Sequence, residues 1–433
     1  MTDINRYPLE SLFNRILSPI KVFLQQPTAG GIMLMMATVL ALVLATGLGA
    51  ETTRHFWEQQ LMFSVENHFT LKLSWRDWIN DGLMAVFFLF MGLEIKYEIL
   101  MGELASIKNA ALPIVAAIGG MVVPAVIYTV FNLNTEAASG WGIPMATDIA
   151  FAVGVLTLLG QRIPKSLVTF LAALAIIDDL GAVLVIAIFY TSTLSIIALV
   201  AAGILFILLL LFNRGGIRHP LPYLLVGTAL WYAVLISGVH ATIAGILLAI
   251  TIPSWAVHKP EYFRQQLVKF FAQAQKDSSF SVAVEATAIA AQSPLQRMER
   301  ILDPWVTFVI VPIFALANAG IDLSHIIWIE TLSEKVTLGV MLGLAVGKFM
   351  GISLFSWLAV YFRLGQLPTG VDWQYLLGAA WLGGIGFTMS IFINQLAFLD
   401  PLYIEQAKIG ILLASGISAA IGLVWLYRAA ART

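Results

Sequence analysis

Apolar runs of about twenty residues, separated by short polar breaks, recur from residue 28 to residue 428. Twenty apolar residues in a helix cross the ~30 Å hydrocarbon core of a bilayer. Read in windows of that length, the pattern predicts about twelve membrane helices. The first six centre on 28–48, 81–100, 110–131, 141–161, 165–189 and 194–213. The others centre on 221–236, 240–254, 303–320, 337–360, 374–396 and 405–428. The runs at 221–236 and 240–254 are short, which suits packing against protein better than facing lipid. Between the runs, LMFSVENHFTLKLSW (61–75) alternates in part and fits a β-hairpin, with a plain extracellular loop nearly as good a fit. A long loop at 255–302 carries EYFRQQLVKFFAQAQK, an amphipathic piece suited to lie on a membrane surface.

Composition agrees with the periodicity. The 433 residues are 59% hydrophobic and only 11% charged, against roughly 25% charged in soluble domains. The fold class predicted is therefore an all-α polytopic membrane protein, a single membrane domain over 1–433 with no soluble domain appended. A formal net charge of −1 provides no basic stripe for phosphates, so no nucleic-acid partner is expected. The absence of cysteine excludes disulfides, thiolate metal sites and cysteine nucleophiles. No secretory signal is read: 27 mixed polar residues precede an apolar run too long for a signal core.

Loop charge gives the orientation, because Lys and Arg gather on the cytoplasmic side. With both termini placed inside, eighteen of the 24 Lys and Arg fall in inside loops and five fall outside: Arg54, Lys72, Arg76, Lys335 and Lys408. The alternation holds loop by loop and predicts an even number of spans with both ends inside, the 1–27 segment lying in the cytoplasm. The remaining cation, Lys348, lies within a span.

A charge at the centre of a membrane helix costs about 2.5–3.5 kcal/mol on insertion scales, so each deep one is a functional candidate. Four stand out: Asp148, Asp178, Asp179 and Lys348, with Asp81, Glu94 and Glu98 nearer the ends of the second span. Asp178 and Asp179 interrupt LAALAIIDDLGAVLVIAIFY (171–190). Helical neighbours point about 100° apart, so the two carboxylates face different surroundings. Two like charges a few ångströms apart repel by about 4 kcal/mol at an effective dielectric near 20. Such a site prefers a proton or a cation. Lys348 lies in GLAVGKFMG (343–351), one position off a stripe of glycines four residues apart that admits a close helix neighbour. GLAVGK is not a phosphate loop: its spacing is one residue short and Phe349 replaces the hydroxyl residue.

Two spans are predicted to be interrupted. In GWGIPMATDIAFAVG (140–154), Pro144 removes a ladder hydrogen bond just before Thr147 and Asp148. In LGGIGFTMSIF (382–392), Gly383, Gly384 and Gly386 each lower helix propensity by roughly 1 kcal/mol, and Thr388 and Ser390 supply hydroxyls. Each interrupted span is the middle of three, and by the charge count the two trios begin on opposite sides. That is the pattern of inverted repeats around a midplane binding site. Asp148 and Lys348 would suit the partial charges of half-helix ends meeting there.

The runs FFLFMGLEIKYEI (87–99), ATDIAFAVGVLTLLG (146–160), ALAIIDDLGAVLVIAIFYT (173–191), SGVHATIAG (237–245), PIFALANAG (312–320), VGKFMGISLF (346–355) and GIGFTMSIFI (384–393) resemble the NhaA family of sodium/proton antiporters. The likeness extends from about residue 28 to the C-terminus. It implies twelve helices with two crossed, interrupted ones. It implies that Asp178 and Asp179 bind Na⁺ and protons beside Thr147, that Asp148 and Lys348 compensate charge at the crossing, and that Lys348 pairs with Asp178. Glu94 and Glu98 correspond to cytoplasmic-funnel acids linked to pH response, and the hairpin to a homodimerisation element. Where better-known members have arginine between the funnel glutamates this chain has Tyr97; family histidines are replaced by Arg300 and Asp303 beside Glu299.

The resemblance further implies electrogenic exchange of cytoplasmic Na⁺ (or Li⁺) for external H⁺ by alternating access. Two protons per sodium, no cofactor and a setting among membrane lipids go with it. A proton-coupled carrier of another cation or solute is the rival reading. It would need more polar contacts than the sparse deep inventory offers. A cation channel differs in lacking obligatory proton coupling. An intramembrane enzyme has no support, since neither a His–Glu zinc pair nor GxSxG appears within the spans.

Overall fold

The computed structural model describes residues 24, 26, 28–65, 69–190, 194–255, 292–324 and 326–432. The N-terminal segment and the amphipathic piece 261–276 lie outside these residues. Every one of the twelve apolar runs is helical. Seven helices are long and apolar enough to cross a membrane: Ala29–Leu48, Ile107–Asn132, Lys165–Phe189, Ile196–Arg214, Pro294–Asn318, Lys335–Tyr361 and Pro401–Ala430. The two predicted interruptions are present as bent pairs, each turning by 41°, and bring the candidate spans to as many as nine.

The other three runs are helical but shorter or more charged. Met84–Leu100 is continuous with helical turns from Trp75 and carries Glu94, Lys96 and Glu98. Pro220–Leu235 has 16 residues and Ile243–Thr251 only nine, so the latter rises about 14 Å at 1.5 Å per residue. The expected hairpin is formed by strands Gln60–Val65 and Phe69–Ser74, antiparallel with Gln60 opposite Ser74. The helix predicted at 303–320 starts earlier, at Pro294, where Ser293 and Gln296 form a reciprocal capping box. Pro304 lies inside it and is followed by a π-turn at Val306–Ile310.

The helices gather into two compact units. The first comprises residues 1–53, 111–178 and 318–433, and so contains both trios up to Asp178. The second comprises 54–110 and 179–317, and so begins its second segment at Asp179.

In the first unit the glycine stripe of 343–351 does what its spacing implied. A Cβ on Gly343 would sit 2.8 Å from the Pro144 ring, and one on Gly347 would sit 2.9 Å from Pro124 Cα. One on Gly351 would run into the carbonyl of Gly119. Glycine against glycine thus brings Lys335–Tyr361 onto Ile107–Asn132, with backbone touching backbone. A π-turn at Gly343–Gly347 immediately precedes Lys348 and sets the direction in which that side chain leaves the helix.

In the second unit, the short helix Ile243–Thr251 packs on Met84–Leu100 through Gly245, whose Cβ would meet Leu89 N at 2.8 Å. Its last carbonyls are taken by Lys96, whose ammonium donates to Ile250 O at 2.6 Å and also to Ala249 O and Ile252 O. A cation on orphan carbonyls ends this helix, where sequence alone showed only that the apolar run was short.

Gly351→Ala is expected to lower the melting temperature of the purified protein by an overpacking cost of about 1–3 kcal/mol, since the opposing atoms are backbone. Gly416→Ala, in the Pro401–Ala430 helix with nothing within 4 Å of its Cβ position, is expected to stabilise by up to about 1 kcal/mol. Equal melting temperatures for the two variants would show that the glycine crossing is not tight.

Candidate ion-binding site

The first bent pair is a 3₁₀ segment Glu136–Met145, three non-helical residues, and the helix Ile149–Thr157. The sequence predicted an interrupted span; it did not predict that the half before the break would be 3₁₀. Gly140 and Gly142 weaken the α-helix there, and Pro144 prevents its closure. The second pair is Trp373–Gly383 and Phe387–Ala397, broken at Gly384–Gly386. None of Gly383, Gly384 and Gly386 has positive φ. They serve close approach instead: a Cβ on Gly384 would lie 2.7 Å from Leu344 O.

The two breaks bond to each other. Asp148 N–H donates to Ile385 O at 2.7 Å, and Thr147 Oγ lies 2.8 Å from Gly383 O. Asp148 Oδ1 accepts from Phe151 N–H at 3.0 Å, capping its own helix. Its Oδ2 accepts from Thr388 N–H at 3.0 Å and from the Thr388 hydroxyl, capping the opposite one. One carboxylate therefore answers two helix N-termini, whose unsatisfied N–H groups and positive dipole ends meet at the crossing. Ser390 Oγ donates to Ile143 O at 2.8 Å, and Phe387 N–H donates to Ser415 Oγ at 3.2 Å. Thr388 was noted in the sequence only as a hydroxyl supplier. Its place in the first turn after a predicted glycine break was the available signal for a partner of Asp148.

Beside this crossing lies a buried ion pair. Lys348 Nζ donates to Asp178 Oδ2 and, at 2.8 Å, to Thr147 Oγ. Thr147 Oγ is itself 2.8 Å from Asp178 Oδ2. Lys348, Asp178 and Thr147 are each 0% exposed. Asp178 Oδ1 is also buried, with no hydrogen-bond partner among the described residues. Asp179, next along the same helix, is 2% exposed. The structure thus brings together Asp148, Thr147, Asp178 and Lys348 in the first unit.

Glu94, Glu98 and Glu299 lie near enough for their charges to act on one another. In the second unit Glu94 and Glu299 line one cleft of about 430 Å³ with Tyr97, Arg300 and Asp303. Glu98 also accepts from Glu103 N–H at 2.9 Å and caps the following turn. Among the described residues no group of three or more His, Cys, Asp or Glu side chains could hold a metal ion. Any cation at Asp178 would draw on hydroxyl and carbonyl oxygens as well as on carboxylate.

Residues 21–426 match the family model for Na⁺/H⁺ antiporter 1. The chain belongs to the NhaA family of Na⁺/H⁺ antiporters. It is similar to the Na⁺/H⁺ antiporter NhaA of Syntrophobacter fumaroxidans, 54% identical over 98% of this chain and 93% of the relative. It is also similar to NhaA of Acidithiobacillus ferrooxidans, at 52% identity over 95% and 98%. For NhaA of Salmonella arizonae the identity is 45% over 93% and 96%. The crossed interruptions, the buried aspartates and Lys348 all lie inside the region shared with the NhaA family.

Removing one member of a buried ion pair strands the other charge, at a cost of about 3–5 kcal/mol. Lys348→Met and Asp178→Asn are each expected to lower thermal stability by an amount in that range. The double substitution is expected to recover part of the loss, as read by thermal unfolding in detergent. Strict additivity would mean that the pair does not couple in the folded protein.

Proposed function

We propose that this protein is an electrogenic secondary antiporter of the bacterial inner membrane. It exchanges cytoplasmic Na⁺ (or Li⁺) for external H⁺ by alternating access, for sodium and pH homeostasis. The observation that carries the reading is the Asp178 carboxylate. One of its oxygens is held by Lys348 and Thr147, the other is buried without a partner among the described residues, and a second carboxylate follows at Asp179. Two formal negative charges on one turn, with one ammonium on Asp178, favour the uptake of one more positive charge. Protons and Na⁺ compete for the same two aspartates, so each excludes the other.

Asp179 is the primary ion ligand in this reading, with Thr147 close by, and Asp178 is the proton switch. Na⁺ draws Asp178 away from Lys348; loss of Na⁺ lets the pair re-form and protons return. Two close carboxylates titrate with coupled, macroscopic constants rather than individual ones. A stoichiometry of two protons per Na⁺ moves one net charge inward. With the cell interior negative, that charge contributes about 2.3 kcal/mol per 100 mV to sodium expulsion. Glu94, Glu98 and Glu299 are assigned to the pH response at the cytoplasmic funnel, and the hairpin to a homodimer contact.

In everted vesicles carrying an acid-inside ΔpH, added Na⁺ or Li⁺ is expected to collapse the gradient, and an imposed membrane potential to change the rate. Asp179→Asn is expected to abolish the Na⁺ response while leaving the protein in the membrane. Sodium-dependent proton release persisting in that variant would overturn the assignment. Replacing 60–74 with a Gly/Ser linker is expected to yield monomers by light scattering with exchange retained.

A further inference from the structure

We propose that Ser418 is a positioning residue of the transport reaction: its hydroxyl is the spare donor that takes up a carbonyl of the second break when Thr147 gives one up. The inference rests on the antiport reading above and concerns the backbone around the site, not the ion ligands. Ser415 and Ser418 lie on the Pro401–Ala430 helix and are both buried, at 4% and 0% exposure. Residues three apart are neighbours on a helix surface, and both of these serines meet the break. Ser415 Oγ accepts from Phe387 N–H at 3.2 Å. That is the first N–H of the half-helix whose next one, on Thr388, goes to Asp148. Ser415 thus belongs to the cap already formed.

Ser418 is placed differently. A Cβ on Gly384 would sit 2.5 Å from Ser418 Oγ and 2.7 Å from Leu344 O. The break is therefore clasped between this hydroxyl and the π-turn Gly343–Gly347 that precedes Lys348. Elsewhere in the chain, helical hydroxyls donate to the carbonyl four residues back: Thr38 to Leu34 O and Thr129 to Ala125 O, each at 2.8 Å. Ser418 makes no such bond, and its Oγ is buried without a partner among the described residues. A buried hydroxyl left unpaired costs free energy, and the break beside it carries carbonyls that would satisfy it. On either side of Gly384, Gly383 O lies against Thr147 Oγ and Ile385 O accepts from Asp148 N–H. Thr147 has one hydrogen for Gly383 O and Asp178 Oδ2, each 2.8 Å away. When that hydrogen goes to Asp178 the break loses a donor, and Ser418 supplies another.

The test compares full-length wild type, Ser418→Ala and Ser415→Ala by melting temperature in detergent and by Na⁺-dependent gradient collapse in everted vesicles. Ser418→Ala removes no bond formed among the described residues and is expected to melt no lower than wild type. Ser415→Ala, which strands Phe387 N–H, is expected to melt lower. Loss of one neutral hydrogen bond from the rearranged break corresponds to a maximal exchange rate about three- to tenfold lower in Ser418→Ala. Its half-saturating Na⁺ concentration is expected to stay at the wild-type value, because no ion ligand changes. A maximal rate equal to wild type in Ser418→Ala would overturn the proposal. So would a melting loss as large as that of Ser415→Ala, which would make Ser418 an ordinary structural hydroxyl. Wild type giving no Na⁺-dependent collapse would instead sink the antiport reading, and this proposal with it.

Discussion

A polar backbone group inside a bilayer has no water to turn to, and this constraint governs the first unit. Two spans are broken within it, and each break releases N–H and C=O groups that an intact helix would have satisfied. The solution is mutual. The Gly383 and Ile385 carbonyls are met by Thr147 and by the Asp148 N–H, while the Asp148 carboxylate takes the N–H groups of Phe151 and Thr388. Each break is thus satisfied in part by the other. The glycine contacts of Lys335–Tyr361 on Ile107–Asn132 and Pro144 follow from the same need, since a methyl group there would hold the neighbouring backbone away.

With the breaks satisfied, the remaining charges can be judged separately. Asp148 is saturated by helix ends, which leaves it little freedom to act as a carrier. Lys348 and Asp178 form a pair whose desolvation cost is large and whose partners can part only if another charge takes over. Asp178 keeps one oxygen uncommitted among the described residues. Asp148 and Asp178 thus occupy adjoining places with different partners, which suits the fixed and exchangeable charges that the proposed antiport assigns to them. Their burial is nearly equal, so the difference lies in hydrogen bonding and not in exposure.

Much of this was legible in the sequence because hydrophobic runs and deep charges are local signals. The twelve helical runs, the two interruptions and the glycine stripe could be placed from spacing, while spacing alone left the hairpin open against a plain loop. The pairing of Lys348 with Asp178, 170 positions apart, came from family resemblance and not from pattern. What could not be read depends on three-dimensional contact. The capping of two helices by Asp148 requires knowing that Thr388 arrives opposite it. The 3₁₀ form of Glu136–Met145 reflects glycines whose space is filled from elsewhere: a Cβ on Gly140 would meet the Tyr128 ring carbon at 2.8 Å. Lys96, one of the cations counted to the inside loops, ends a nine-residue helix 154 positions away.

Thr147 joins the break to the charge. Its hydroxyl lies 2.8 Å from Gly383 O and 2.8 Å from Asp178 Oδ2, and Lys348 donates to the same oxygen. A hydroxyl has one hydrogen and cannot donate to both acceptors. While Asp178 is charged, the stronger acceptor is the carboxylate, and the Gly383 carbonyl at the end of the broken helix depends on its other neighbours. Once Asp178 is protonated the carboxyl can itself donate, and the Thr147 hydrogen is released to Gly383. The protonation of one buried acid therefore sets which hydrogen bond closes the helix break. This couples the charge of the site to the geometry of the broken helix.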